Sequence, residues 1–226
     1  IEHNIEEAST TAEVFNKLDQ TASITEEFVE KYKNIIFIAI GIVAVVVLGY
    51  LGYKEFIAKP KQLEAMNDMF QAQKYFNEAV EGGENDALFQ LALNGGEGKF
   101  GFLDIIKEYS GTPAANLANY YAGTSYLRLK DYKNAIDHLS NFKSDDEILA
   151  PLAKGNIGDA FVQLNQPEDA LDYYDQAANL RSNDYTSPMY LFKAGAIALE
   201  LGKADKALTY FEKIKNEFPN STEAGT

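Results

Sequence analysis

Residues 34 to 53 read NIIFIAIGIVAVVVLGYLGY, twenty consecutive positions without a charge. A helix of that length rises about 30 Å, the thickness of a bilayer's hydrocarbon core. Buried helices of water-soluble domains seldom hold so long an unbroken apolar run. Tyr50 and Tyr53 lie near one end, where aromatic rings favour the interface, and Lys33 and Lys54 close the run on both sides. A cleaved signal peptide fits poorly, because the span starts too far into the chain and no small-residue cleavage motif follows it. The sequence therefore predicts a single membrane anchor with its exit over 34–57, and membrane lipid as one partner. The run contains no GxxxG, so it offers no specific signal for helix pairing.

Charge does not orient this anchor. Lys17, Lys31 and Lys33 precede it, and Lys54, Lys59 and Lys61 follow it, so the positive-inside count ties. Residues 1–33 form an acidic segment with eight carboxylates and three lysines. Within it Ser23-Ile24-Thr25-Glu26 fits a capping box and predicts a helix start that runs into the membrane. Residues 1–22 carry scattered apolar positions (Ile5, Val14, Phe15, Leu18), which permit a short amphipathic helix or disorder.

Composition removes several classes of function. The formal net charge is −14, with 34 acidic and 20 basic residues, which argues against nucleic acid as a partner. Cysteine is absent, so no disulfide and no thiolate chemistry is available. The two histidines, His3 and His138, are too few for a His-rich metal site and leave little for acid–base catalysis. No catalytic residue, no cofactor, no metal and no small-molecule substrate is expected. The chain opens on Ile1 and stops at Thr226 without a helix-ending signal, so both native ends are expected to lie beyond it.

The remaining chain repeats itself. One stretch holds Ala122-Gly123, Tyr126, Ala135 and Leu139. A second holds Ile157-Gly158, Phe161, Ala170 and Tyr174. A third holds Ala194-Gly195, Ala198, Ala207 and Phe211, with Pro219 beyond. The glycines step by 35 and 37 residues, and an alanine follows each by twelve. Lys130-Asp131-Tyr132, Asn165-Gln166-Pro167 and Gly202-Lys203-Ala204 lie between the two halves as turns. Small residues let paired helices approach, and the large residue four positions after each alanine is expected to fill the space to the next repeat. This pattern resembles the tetratricopeptide repeat, although its usual Trp is missing throughout. The resemblance implies an all-α fold: a single transmembrane helix followed by a solenoid of helix hairpins.

Residues 58–112 read as a membrane-proximal helix and a degenerate first repeat. Gln62 to Ala79 is helical in pattern, Gly82, Gly83, Gly95, Gly96 and Gly98 mark a Gly-rich insertion, and Phe102 to Tyr109 reads as the second helix. Residues 113–226 then hold the clear repeats, truncated at the C-terminus, with Pro219 to Ala224 as the start of another helix.

Other motifs fail on context. Gly96-Glu97-Gly98-Lys99-Phe100-Gly101 matches GxGxxG, but a helical hairpin is expected around it and Tyr121 stands where a dinucleotide fold needs an acid. Phe100 also replaces the hydroxyl that a phosphate loop needs. Asp145-Asp146-Glu147 lacks the alternating ligands of a calcium loop and reads as a turn or helix start. Asn220-Ser221-Thr222 is a glycosylation sequon by pattern only. His138 is expected at the surface or lining a groove.

The order of parts, with Phe28-Val29-Glu30-Lys31 leading into the anchor and Lys59 to Phe76 leaving it, resembles the YfgM-type family of bacterial inner-membrane proteins, ancillary subunits of the SecYEG translocon. Gly101-Phe102-Leu103 and the run Asn116 to Gly123 resemble its Bacteroidota branch. The resemblance implies a cytoplasmic N-terminus, a periplasmic repeat domain, and SecYEG, periplasmic chaperones or exported clients as partners. The acidic N-terminal segment and the Gly-rich insertion depart from the pattern. Solenoids of this kind bind partners in a groove lined by first helices. Here that lining includes Leu117, Tyr120, Thr124, Leu127 and Arg128, then Leu152, Gly155, Asp159, Val162 and Gln163, then Met189, Phe192, Ala196, Leu199 and Glu200. With Arg128 as the one cation and Asp159 repelling carboxylates, apolar or basic segments are the expected occupants. The function so read is a non-enzymatic adaptor at the Sec channel. The alternatives are a structural subunit of another secretion or motility complex of the envelope, and an anchored enzyme. The absence of any convergent Ser, His, Cys or acid cluster argues against the enzyme.

Overall fold

The computed structural model describes residues 30–83 and 85–225. The capping box at Ser23 to Glu26 and the amphipathic reading of residues 1–22 lie outside the described residues. The chain divides into two units, Ile1–Ile57 and Ala58–Thr226.

In the first unit helix α1 covers residues 30–53, and a π-wound segment, Lys54–Ala58, follows it in sequence across the unit boundary. Helix α1 has an 18-residue window of mean hydropathy 2.8, none of it buried, and is long and apolar enough to cross a membrane. Its side chains stand bare, with Phe37 70% and Val45 71% exposed. Apolar area left in water forgoes about 25 cal/mol per Å², a loss that hydrocarbon around the helix would remove.

Among the described residues of the second unit the regular structure is helical, apart from one isolated bridge between Gly96 and Lys99, and turns and short loops join the helices. Helices α2 (Lys59–Glu81), α3 (Asp86–Asn94) and α4 (Phe102–Glu108) come first. Three hairpins follow: α5 (Pro113–Arg128) with α6 (Tyr132–Asn141), α7 (Leu149–Gln163) with α8 (Pro167–Asn179), and α9 (Thr186–Glu200) with α10 (Ala204–Glu217). A 3-10 turn, Thr222–Gly225, comes after them.

The stretch expected to be a Gly-rich insertion holds α3. Asn85 starts this helix by accepting from the backbone N–H groups of Ala87 and Leu88 at 3.0 and 3.3 Å. Phe89, Ala92 and Leu93 are buried. The flanking glycines obscured a short but apolar helical run. Those glycines serve the tight turn from α3 to α4: Gly95 has φ 79°, and a Cβ there would lie 2.2 Å from the Lys99 carbonyl oxygen.

Helices α2, α3 and α4 pack together and on α5. Phe76 of α2 sits at the centre of their aromatic core, 5.8 Å from Phe89, 6.3 Å from Phe102 and 5.1 Å from Tyr121 between ring centroids. From α5 onward each helix packs on its successor, and α5 also meets α7 as α7 meets α9. That is the stacking of a solenoid.

Each hairpin repeats three devices. Its first helix ends in a Schellman motif. The N–H of Asp131, Gln166 and Lys203 reaches back to the carbonyl of Tyr126, Phe161 and Ala198 at 2.9, 2.9 and 2.8 Å. The residue before each, Lys130, Asn165 and Gly202, has φ of 62°, 57° and 70°. The alanine of the second helix (Ala135, Ala170, Ala207) is buried at 0%, 0% and 1% exposure. The large residue four positions later, expected to fill the space to the next repeat, also lies against the glycine of its own hairpin. A Cβ on Gly123, Gly158 or Gly195 would stand 2.6 Å from Leu139, Tyr174 or Phe211 respectively. The missing side chain lets the two helices close. Leu139 and Tyr174 also reach forward, Leu139 into a cluster with Ile157 and Tyr174 onto Tyr190.

Candidate functional site

The first helices α5 and α7, with Lys193 of α9, line a cavity of about 440 Å³ that Tyr132 of α6 and Tyr174 of α8 help to close. Of the residues read as groove lining, Thr124, Leu127, Arg128, Asp159, Val162 and Gln163 line it. Leu117 and Tyr120 pack between hairpins, Tyr120 with its ring centroid 5.3 Å from that of Phe142. Met189 and Phe192 pack against the core around α9, Phe192 beside Phe211 at 6.0 Å. Gly155 is the most altered position. A Cβ there would fall 1.9 Å from ring atoms of Tyr190. The place of its side chain is taken by a tyrosine from the next hairpin.

Tyr190 builds one wall of a polar cluster. Its ring stacks on Tyr174 at 6.1 Å and 18°. Tyr174 donates its hydroxyl to Asp159 Oδ1 at 2.6 Å, and Lys193 Nζ donates to the same oxygen at 2.6 Å. The Lys193 ammonium also lies 5.5 and 5.7 Å from the centroids of Tyr174 and Tyr190, within cation–π range. Burial first, and the Asp159 carboxylate second, push both phenols well above the usual tyrosine range. They therefore remain protonated donors at any physiological pH.

Two matches to known families coincide with this geometry. One tetratricopeptide-repeat model matches residues 117–146, and a second matches residues 156–222. The chain carries tetratricopeptide repeats. The first match falls on α5 and α6, and the second runs from within α7 through α10. No curated protein matches this chain in sequence. Tetratricopeptide repeats are interaction modules, and the role that follows for this domain is contact with other proteins.

Lys130, Tyr132, Asn156 and Lys193 also line the cavity and were missed as site residues. The signal for Lys193 was present. It stands in the same repeat register as Asn156 and Tyr121, one step along the helix from the groove series Thr124, Asp159, Ala196. Lys130 was read only as part of a turn, and its placement depends on the left-handed backbone that ends α5.

His138 is not groove lining. It is half-buried within its own hairpin, with Nδ1 3.0 Å from Asn119 Oδ1 and its ring stacked on Tyr126 at 5.5 Å and 14°. Burial pulls its pKa below the ordinary histidine value. Asp146 starts a helix: it accepts from the N–H groups of Ile148 and Leu149 at 2.9 and 2.7 Å, and these bonds hold its carboxyl below the usual range. The GxGxxG glycines follow a helix, not a strand. Among the described residues no cluster of three or more His, Asp or Glu is placed to hold a metal ion.

Proposed function

We propose that the protein is a non-enzymatic, single-pass adaptor of the bacterial inner membrane that holds exported clients or periplasmic chaperones beside the SecYEG channel. The anchor is α1, the N-terminus is cytoplasmic, and the repeat domain is periplasmic. The observation that carries the adaptor role is the cavity lined by α5 and α7 with Lys193 of α9. It faces outward from three stacked hairpins and joins apolar walls, Leu127 and Val162, to a fixed polar cluster. The Sec assignment is supported by the resemblance of the anchor junctions and repeat order to the YfgM-type family.

The test is purification of the full chain from native membranes in mild non-ionic detergent, with α1 on an unrelated domain as the control. SecYEG should be enriched over the control. Enrichment of another secretion or motility complex without SecYEG would replace the Sec assignment. A reporter active only in the periplasm, fused after Thr226, should be active. Activity of a cytoplasm-only reporter there would overturn the topology.

A further inference from the structure

We infer that the outer face of α2, together with the turn at Gly98 to Phe100, settles into the bilayer surface, an inference that rests on the anchor reading of α1. Leu63, Met66 and Phe70 follow one another at three and four residues, which sets them on one side of the helix. They are 56%, 51% and 67% exposed, while Ala65, Met69, Ala72 and Ala79 on the other side are buried. The patch continues onto the turn between α3 and α4, where Phe100 is 37% exposed and shares a recess of about 300 Å³ with Phe70 and Gly98. Of the eight large apolar side chains exposed among the described residues of the second unit, five fall within residues 63–100. Apolar exposure is thus concentrated in the part of the domain that follows the anchor most closely in sequence.

A second copy is the other candidate cover, and area decides against it. Leu63, Met66, Phe70 and Phe100 at these exposures offer roughly 400 Å² of surface. Two copies face to face would bury about 800 Å², short of the ~1,000 Å² of a specific interface. A bilayer demands no matching shape, and an apolar helix face sinks into the boundary between headgroups and acyl chains. The chain also keeps the patch near that boundary. Leu63 follows Tyr53, the end of the uncharged run, by ten positions. That is at most about 35 Å of extended chain and about 15 Å of helix. Helices bend at π-wound segments, and Lys54–Ala58, which lies between the two, is one with no buried residue. Charges around the patch are of both signs. Lys74 pairs with Glu78 at 3.8 Å, Asp68 accepts from the Tyr109 hydroxyl, and Glu64, Glu97 and Lys99 are exposed. Residues 62–226 carry 25 acids and 14 bases, so the domain has no general attraction for an anionic leaflet. Insertion of apolar side chains among zwitterionic headgroups is the chemistry that fits.

The chain holds no tryptophan, so one substitution supplies a sole fluorescent reporter. The test reconstitutes the full chain in phosphatidylcholine liposomes, plain or brominated on the acyl chains close to the headgroup, as Phe70→Trp, Val45→Trp or Tyr185→Trp. Val45 reads the anchor. Tyr185 is exposed and begins α9, a helix that α2 does not touch. Because interfacial helices sink about 5–10 Å, bromolipid should quench Phe70→Trp by about a third or more. Tyr185→Trp should keep its emission. Adding Leu63→Gln and Met66→Gln to Phe70→Trp should remove most of the quenching, and melting curves verify that each variant is folded. Phe70→Trp that stays bright while Val45→Trp is quenched would overturn the inference and leave the anchor standing. Phe70→Trp shielded from aqueous iodide yet untouched by bromolipid would overturn it in favour of a second copy. Equal quenching of Tyr185→Trp would overturn it as general adsorption of the domain. Quenching that survives the Leu63/Met66 change would overturn the stripe as its cause. Val45→Trp left unquenched would remove the anchor reading together with the inference.

Discussion

Gly155 and Tyr190 fit each other as socket and plug, and the fit can be tested against helix propensity. Replacing a helical glycine by alanine ordinarily gains up to about 1 kcal/mol. Overpacking a closed site costs about 1–3 kcal/mol, occasionally more. At Gly155 the new Cβ would meet the Tyr190 ring at 1.9 Å, so packing should win and Gly155→Ala should lower the melting temperature. At Gly158 the contact is 2.6 Å with Tyr174, whose hydroxyl is tied to Asp159, so the ring yields poorly. At Gly195 the opposing Phe211 is only half-buried and has no polar tether, so it moves more easily. The expected order of destabilisation is Gly155→Ala, Gly158→Ala, Gly195→Ala, read by thermal melts. Gly155→Ala melting at or above the parent would show that the Tyr190 contact does not hold the stack.

His138 supplies a second expectation at this scale. Its folded pKa lies below its unfolded value of about 6.5. The unfolded chain therefore binds the proton first as pH falls. Its contribution to stability is full above the unfolded value and is lost as pH drops through the folded one. Carboxylates titrate mostly below this window, so the slope between pH 7 and 5 isolates the imidazole. His138→Phe, which keeps an aromatic ring beside Tyr126 without a titrating group, should show a flatter Tm profile over that range. Parallel profiles would mean that the burial of His138 has no energetic consequence.

At the scale of the element, the ends of the first helices carry the next expectation. Lys130 adopts φ 62° and Asn165 φ 57°, where the third hairpin has Gly202 at 70°. A residue with a Cβ is penalised there, and asparagine tolerates it better than lysine. Lys130→Gly should thus stabilise the domain by about 0.5–1 kcal/mol after the unfolded-chain entropy of glycine is counted, and Asn165→Gly by less. A Tm that falls on Lys130→Gly would show that the lysine side chain does more than occupy a turn.

The same elements show what was legible in sequence. The hairpins were, because the glycine and alanine registers are properties of one chain read at a fixed step. Contacts that join one hairpin to the next were not. The Asn116 side chain donates to the Lys143 carbonyl at 2.7 Å and accepts from the Lys143 N–H at 2.9 Å. The Asn183 side chain donates to the Glu147 carbonyl at 2.9 Å while its oxygen accepts from Thr186 N–H at 2.7 Å. Such buckles have no periodic signature, since any asparagine in a loop offers the same groups. The groove was half legible for a related reason. Register puts Asp159 on the first-helix face that lines the cavity, but the groups that engage its carboxylate come from α8 and α9 and meet it only in space.

For the whole molecule, the proposed anchor must be turned one way round by some imbalance between its flanks. Lysine bias sets orientation when the flanks differ, and long domains cross a membrane largely regardless of charge. Here the flanks hold three lysines each, so the bias contributes nothing and the inside-facing N-terminus proposed above rests on other forces. A balance of this kind is easily tipped. Lys31→Gln with Lys33→Gln leaves one lysine before the span and three after it, which favours keeping the C-terminal flank inside. We expect this double variant to populate both orientations, whereas Lys59→Gln with Lys61→Gln should insert as the parent does. Paired reporters fused after Thr226, one active only in the periplasm and one only in the cytoplasm, read the two populations. If the Lys31/Lys33 variant keeps a single orientation, lysine balance is not what holds the anchor. The orienting force would then lie in translocation of the 165 residues from 62 to 226, which carry 25 acids and 14 bases.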